Sequence, residues 1–374
     1  MSKQYLFLIL FIAAAAFFSC GSSDKYSIEV KDGANFIDNV DQQWGETPEI
    51  ELVHFQTIGS LETEDENYML FRPIDVFLDK EENIYVLDMG NFRIQKYSTD
   101  GKYIQTFGRQ GGGPGELSMP LSMAIDSQKN LLVTDFGNSR IQKFTMEGKE
   151  NGTYRMTFPI ALLRLLSTDE VVSQSFPTNP TESVKTLIKV CGLDGSDPRE
   201  FGNISEYSGE DILNSVINIA GFYDVDSDDN IIFVFQAKNR IHKYSADGTF
   251  LWQTKRPLNY EIMDKPVMRE FEMGDIKTEV PLMSPVNLAA QIDGKDRIWV
   301  ITYRNKIDMS KISLDMNSQP EILLDFHIFD KDGIFLGVIE LEKNYASFRI
   351  FGDRLFAIDP SEEMCIEEFR IVEK

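Results

Sequence analysis

Three stretches of the chain carry the same alternation of apolar and polar positions. They read Asn83–Gly101 (NIYVLDMGNFRIQKYSTDG), Asn130–Gly148 (NLLVTDFGNSRIQKFTMEG) and Asn230–Gly248 (NIIFVFQAKNRIHKYSADG). In each, an apolar run of strand length is followed by a turn, a second run and an Asp-Gly or Glu-Gly hairpin signal. A further run follows the hairpin, at Tyr103 to Phe107 in the first unit and Phe250 to Thr254 in the third copy. Another precedes each of the first two copies, at Arg72–Val76 and Met119–Met123, with the proline where no ladder donor is needed. Each unit is therefore a four-stranded sheet with two faces to cover.

The first two copies start 47 residues apart, and the second and third 100 apart, which leaves room for a degenerate copy between them. A period of this size marks a repeat architecture, and four-stranded units with two apolar faces bury them by stacking around an axis as propeller blades. Degenerate units are read at about 160 to 201 and 286 to 340. The last unit, from Tyr345, supplies only three strands, and the missing outer strand is available at Ile50 to Phe55. The sequence thus predicts an all-β, six-bladed β-propeller with four-stranded blades, its ring closed by an N-terminal strand in the last blade. The organisation expected is a signal peptide over 1–19, a flexible tether over 20–45 and the propeller over 46–374.

The run from Asp88 through Asn91 and Arg93 to Tyr97, its copy from Asp135 to Phe144, and the glycine-rich linker Gly108–Leu117 resemble the NHL-repeat family of six-bladed propellers. The third copy is weaker, keeping Asn239, Arg240 and Ile241 but placing Phe235 where the others have Asp. With the leader described below, the chain is similar to lipoprotein propellers common in Bacteroidetes. The resemblance implies the fold and leaves the activity open, because one fold hosts many functions.

A basic residue at Lys3, an apolar stretch from Tyr5 to Phe18 and the small-residue junction Ser19-Cys20-Gly21 form an export signal. The Cys after a small residue resembles a bacterial lipobox, in which Cys20 becomes the lipidated N-terminus, although Phe17-Phe18 departs from the usual pattern. The expected location is the bacterial cell envelope, lipid-anchored, at the outer membrane. A formal charge of −23 over 374 residues repels a phosphate backbone, so no nucleic-acid partner is expected. Cys191 and Cys365 fall in blades three and six, too far apart to bridge.

Three insertions interrupt the repeat, at 202–217, 256–285 and 303–320. Blade-to-blade linkers and loops between the second and third strands emerge on one face, so all three belong to one loop-rich surface, where binding residues concentrate. Tyr207, Tyr260, Tyr303 and Arg304 are the expected binding residues, since such side chains most often anchor interfaces. Residues 262 to 276 have helix-like spacing, read as a short amphipathic lid or a linker helix packed on the rim. Arg93, Arg140 and Arg240 recur at one blade position. The structural reading is a fork holding loop carbonyls or the Asp88 and Asp135 carboxylates; the functional one is a ring of cations for an anionic ligand.

No nucleophile elbow, catalytic triad order or paired histidines occur, so the reading leans away from an enzyme. No cofactor is expected, with one alternative. Calcium in the axial channel takes oxygens from different blades and leaves no linear motif, and Asp75 and Asn287 are the candidates, which would suit a calcium-dependent hydrolase or lyase. The leading expectation is a non-catalytic, lipid-anchored propeller that binds a partner protein or a small-molecule or glycan ligand through the loop-rich face.

Overall fold

A computed structural model describes residues 25–175, 184–204, 217, 219–273, 276–309, 322–359 and 363–374. Six blades follow one another around a ring. Their innermost strands are Pro73–Leu78, Pro120–Ile125, Arg164–Leu165, Gly221–Val225, Asn287–Ile292 and Ser347–Phe351. Blade 6 has three strands from the C-terminal region, and Ile50–Ile58 completes it by antiparallel pairing with Ile366–Glu373, from Ile58 opposite Ile366 to Ile50 opposite Glu373. The ring closes as the strand deficit of the last repeat requires.

The second strands are buried along their whole length, as in Ile84–Asp88 and Ile231–Phe235. Neighbouring blades cover both of their faces, so they read as unbroken apolar runs instead of alternating ones. Outer strands are wetter, and Glu150–Arg155 is almost entirely exposed. The first turn of every blade passes through a left-handed residue: Glu82, Lys129, Asp169, Asp229, Asp296 and Gly352. The carboxyl-bearing side chains just ahead of these residues, such as Asp79 and Asp126, accept the backbone N–H of Asn83 and Asn130 and hold the turn closed.

The hydrophobic core is divided into six wedges, one at each blade interface. Phe107, Tyr85 and Leu131 fill the wedge between blades 1 and 2, and Trp299, Phe326 and Phe348 that between blades 5 and 6. This arrangement leaves the axis outside the hydrophobic wedges. Polar and charged side chains can therefore line it without interrupting the core.

At three interfaces a serine of one first turn is latched to the left-handed aspartate of the next. Ser127 donates its hydroxyl to Asp169, Ser167 to Asp229 and Ser227 to Asp296, at 2.5, 2.5 and 2.7 Å, and each serine N–H goes to the same carboxylate. The latches join blades 2 to 5. Other interfaces are tied differently: Lys295 and Arg297 reach Glu373 between blades 5 and 6, and Arg354 reaches Thr99 between blades 6 and 1.

The segment expected as a flexible tether is ordered from Lys25 onward, which corrects that expectation for 25–45. Tyr26–Lys31 and Ala34–Asn39 form a hairpin, and the second of these strands adds in parallel to Phe250–Lys255, the outer strand of blade 4. Ala34, Ile37 and Asn39 point inward. Buried Asn39 donates to Thr254 Oγ1, Lys255 O and Gly333 O and accepts from Phe335 N, so one side chain ties the outer edges of blades 4 and 5. Trp44 then lies on blade 5 against Gly337, where a Cβ would meet its ring at 2.3 Å. The chain runs as a belt across blades 4 and 5 before becoming the outer strand of blade 6.

Candidate functional site: the axial channel and the loop-rich face

Four charged side chains from innermost strands meet on the axis. Asp75 of blade 1 accepts Val76 N–H on Oδ1, and on Oδ2 it accepts the Ser122 hydroxyl and Met123 N–H of blade 2 at 2.9 and 2.7 Å. Asp224 of blade 4 accepts Ile292 N–H of blade 5 at 2.8 Å. Each aspartate is thus fastened forward to the next blade and faces backward to an arginine of the preceding one. Arg164 of blade 3 serves Asp224, and Arg349 of blade 6 serves Asp75. Blades 1 and 4 are opposite, as are 3 and 6, so the quartet has approximate twofold symmetry.

The two pairs differ in closure. Arg164 donates Nε to Asp224 at 2.9 Å and Nη1 to Leu163 O at 3.0 Å. Arg349 Nε stands 3.6 Å from Asp75 Oδ1, outside hydrogen-bond reach. Its Nε and Nη1 are buried and have no acceptor among the described residues. Burial, and then the positive charge of Arg164, hold the Arg349 guanidinium below its ordinary value, while Asp75 and Asp224 work in the opposite direction.

Asp75 is therefore a channel residue, but its oxygens already serve four protein donors or cations. Asn287 is fully buried between blades 4 and 5. Its Oδ1 accepts Arg256 Nη2 at 2.7 Å and its Nδ2 donates to Phe235 O and Lys238 O. Arg256 is itself buried and gives its remaining bonds to His327 Nδ1, Asn239 Oδ1 and Thr302 Oγ1, all neutral acceptors. Burial lowers Arg256 to about 10 and pushes His327 well below the usual histidine value, which keeps the imidazole neutral and able to accept. Neither calcium candidate offers a free oxygen of the kind a calcium shell needs.

The repeated arginines are forks of the expected structural kind in blades 1 and 2. Arg93 Nε bonds Asp88 at 2.8 Å while Nη2 holds Glu66 O and Met69 O. Arg140 bonds Asp135 at 2.9 Å and holds Gly113 O and Glu116 O. Arg240 has no such aspartate, since Phe235 fills the place. Blade 5 inverts the device: Arg304 follows the second strand and its fork takes Asp325 on the third, with Nη2 to Oδ1 at 2.6 Å.

Of the expected binding residues, Tyr207 lies outside the described residues. Tyr260 donates its hydroxyl to Tyr303 O, and burial raises it to about 12. Tyr303 packs beside the wedge of blades 5 and 6, and Arg304 is committed to Asp325. These three side chains build the loop-rich face more than they stand out from it. Residues 262–276 do not form the expected helix. Val267–Met273 pairs with Ile276–Leu282 as a hairpin, because β-branched residues at Val267, Ile276, Thr278 and Val280 favour extended backbone over the Met and Phe spacing that suggested a helix.

This hairpin and the loop after Ile298–Tyr303 flank an open cavity of about 580 Å³. Met263, Val267, Met268, Ile307 and Met309 supply its apolar lining, with Arg269 and Lys306 as cations and Asp308 as the one carboxylate. Arg269 Nη1 donates to Met309 O at 2.9 Å and joins the two segments. Val267 and Met268 remain 46% and 55% exposed, so the apolar surface is open to a ligand. Sequence reasoning noted Met263 and Met268 as one face of a lid but did not count them among the binding residues, and it missed Ile307 and Met309, which complete the wall from the facing loop.

Asp359, Glu363, Cys365 and Glu367 also cluster closely. The Lys343 ammonium occupies this cluster, 2.6 Å from both Asp359 and Glu367. Burial opposes its charge, but these two carboxylates hold it above the ordinary lysine value.

Residues 37–170 match the sequence profile of the DUF5128 family, described as a 6-bladed beta-propeller. No curated protein matches the sequence. A member of the DUF4221 family from Bacteroides vulgatus superposes with a TM-score of 0.60 at 10% identity, covering 87% of this chain and 99% of that one. A protein considered exported, from Bacteroides fragilis, gives 0.55 at 12% identity, covering 91% of this chain and 99% of that one. Among the described residues no helix is long and apolar enough to cross a membrane. Blade count, strand order and these likenesses agree: the chain is a six-bladed β-propeller, similar to propeller proteins of Bacteroides.

Proposed function

We propose that this chain is a non-catalytic, lipid-anchored propeller of the bacterial cell envelope that binds a ligand or partner protein through its loop-rich face. The observation that supports it best is the convergence of two separate insertions, the 267–282 hairpin and the 304–309 loop, on one open cavity. A repeat protein gains nothing structural from such a cavity, whereas loops on a rigid scaffold are where binding resides. Methionines give a soft, adaptable apolar wall, and Arg269 and Lys306, set against Asp308, leave the lining one net positive charge in a chain that is otherwise strongly acidic. The lining suits an apolar group carrying an anion better than a glycan.

Lipidation at Cys20 would leave only residues 21–25 before the first strand at Tyr26. Five residues span at most about 18 Å, so the anchor is a short leash that keeps the blade 4 edge close to the membrane.

The test uses the anionic, apolar dye 1-anilinonaphthalene-8-sulfonate. Saturable binding to the wild type that falls at least tenfold in the double variant Met268→Asp, Lys306→Glu, with an unchanged melting temperature, supports the reading. Equal binding by the double variant overturns the cavity as the site. Cys20→Ala should move the protein out of the membrane fraction, and continued membrane association of that variant contradicts the anchor.

A further inference from the structure

The axial quartet is unevenly satisfied, and nothing in the proposed loop-face function uses it. Asp75 and Asp224 are each engaged by backbone N–H groups of the next blade as well as by an arginine. The two carboxylates therefore need no more donors. The arginines need acceptors. Arg349 has two buried nitrogens without one, and its side chain is 9% exposed. Arg164 spends Nε and Nη1 and has no bonded partner for Nη2 among the described residues. The two guanidiniums are also close enough for the charge of Arg164 to act on Arg349.

A buried polar nitrogen without a partner demands an explanation, because leaving it unsatisfied costs about 1–3 kcal/mol and more for a charged group. Asp75 and Asp224 offset the charge of the two arginines but leave the two Arg349 nitrogens without an acceptor. A group that accepts hydrogen bonds and carries one negative charge supplies that acceptor. A metal cation does not, since it accepts no hydrogen bond. Guanidinium groups bind carboxylates through paired N–H bonds, and they also accept single halide ions as point charges.

We propose that the axial channel is an anion site, in which Arg349, with Arg164 opposite, holds one small monoanion of halide or carboxylate chemistry. Arg349 is the primary ligand, since it is the unsatisfied member. Arg164 contributes charge while remaining paired with Asp224. Asp75 and Asp224 set the charge limit, because a second negative charge in the same channel would meet both of them. The site is separate from the loop-face cavity, so either can fail without the other.

The experiment compares melting temperatures at constant ionic strength, replacing a bulky sulfonate buffer anion by bromide in one arm and formate in the other. Constant ionic strength removes the general screening that any salt gives a chain of charge −23. The wild type should show a saturable rise of about 3–4 °C at a hundredfold excess over Kd, and Arg349→Met should show none. A rise with bromide alone identifies a halide site, and a rise with formate alone a carboxylate site. Absence of a saturable rise in both arms, or an equal rise in Arg349→Met, overturns the proposal. Should that variant fail to fold, anomalous scattering from wild-type crystals grown in bromide decides it: a peak beside Arg349 supports the site, and bromide only on the outer surface contradicts it.

Discussion

The two halves of the ring use the same parts and finish them differently. Around blades 3, 4 and 5, Arg164 closes on Asp224 at 2.9 Å, serines latch onto aspartates at the rim, and the N-terminal belt crosses the outer edge. Around blades 6, 1 and 2, Arg349 stops 3.6 Å short of Asp75 and the belt is absent. Between blades 1 and 2, Lys80 and Lys129 stand where a latch would have serine and aspartate. A satisfied buried pair reports on folding, whereas an unsatisfied one, in an otherwise well-packed ring, marks a place left available.

The largest effect should come from the belt. Deleting 25–45 removes Trp44, whose loss from a packed site costs about 3–5 kcal/mol, and Asn39, whose bonds across blades 4 and 5 are worth about 1–3 kcal/mol more. A denaturation midpoint equal to that of the full mature chain would show that the closed half does not depend on the belt.

That prediction reverses the tolerance expected of a flexible tether, and the reason is instructive. Blades 1 and 2 were legible because the Asp88–Arg93 motif repeats with little change, and ring closure because blade 6 lacked a strand that Ile50–Phe55 could supply. The belt carries the same kind of signal, an Asp32-Gly33 turn with both residues at positive φ, but it stands outside the repeat and so outside the pattern. In the channel, Arg164, Asp224 and Arg349 lie on three strands far apart in sequence, and only closure of the ring assembles them. Asp75 was legible alone because a charged residue on an innermost strand has few other places to point. The hairpin at 267–282 was misread because Met263, Val267 and Phe271 satisfy helical spacing as well as strand alternation.

Acid should weaken the closed half next. His242 in blade 4 is held down to about 3, by burial first and then by Arg240, and His327 in blade 5 lies well below its usual value. Both are neutral when folded and take up protons near pH 6.5 when unfolded. Stability from this source is present above pH 6.5 and falls as the pH drops, by up to about 1.4 kcal/mol per pH unit for each histidine. Denaturation between pH 7 and 5 should show this slope, and His242→Gln should roughly halve it. An unchanged slope would place the acid sensitivity elsewhere.

The smallest effects belong to the rim. Ser227→Ala should cost about 0.5–1 kcal/mol by removing one latch bond, and the pair Lys80→Ser, Lys129→Asp should gain a similar amount by building a latch between blades 1 and 2. Native-state hydrogen exchange at the first turns of blades 1 and 2 would detect the gain as slower opening. No change in protection would mean that the latches do not distinguish the halves.

The difference between the two arginines is tested most directly by urea denaturation of Arg164→Met and Arg349→Met side by side. Arg164→Met leaves the half-buried Asp224 with Ile292 N–H alone and without its counter-charge, and should lose about 3 kcal/mol. Arg349→Met removes a guanidinium that already lacks acceptors, while Asp75 keeps Val76 N, Ser122 Oγ and Met123 N, so the change should stay within about 1 kcal/mol of the wild type. Equal losses in the two variants would contradict the account.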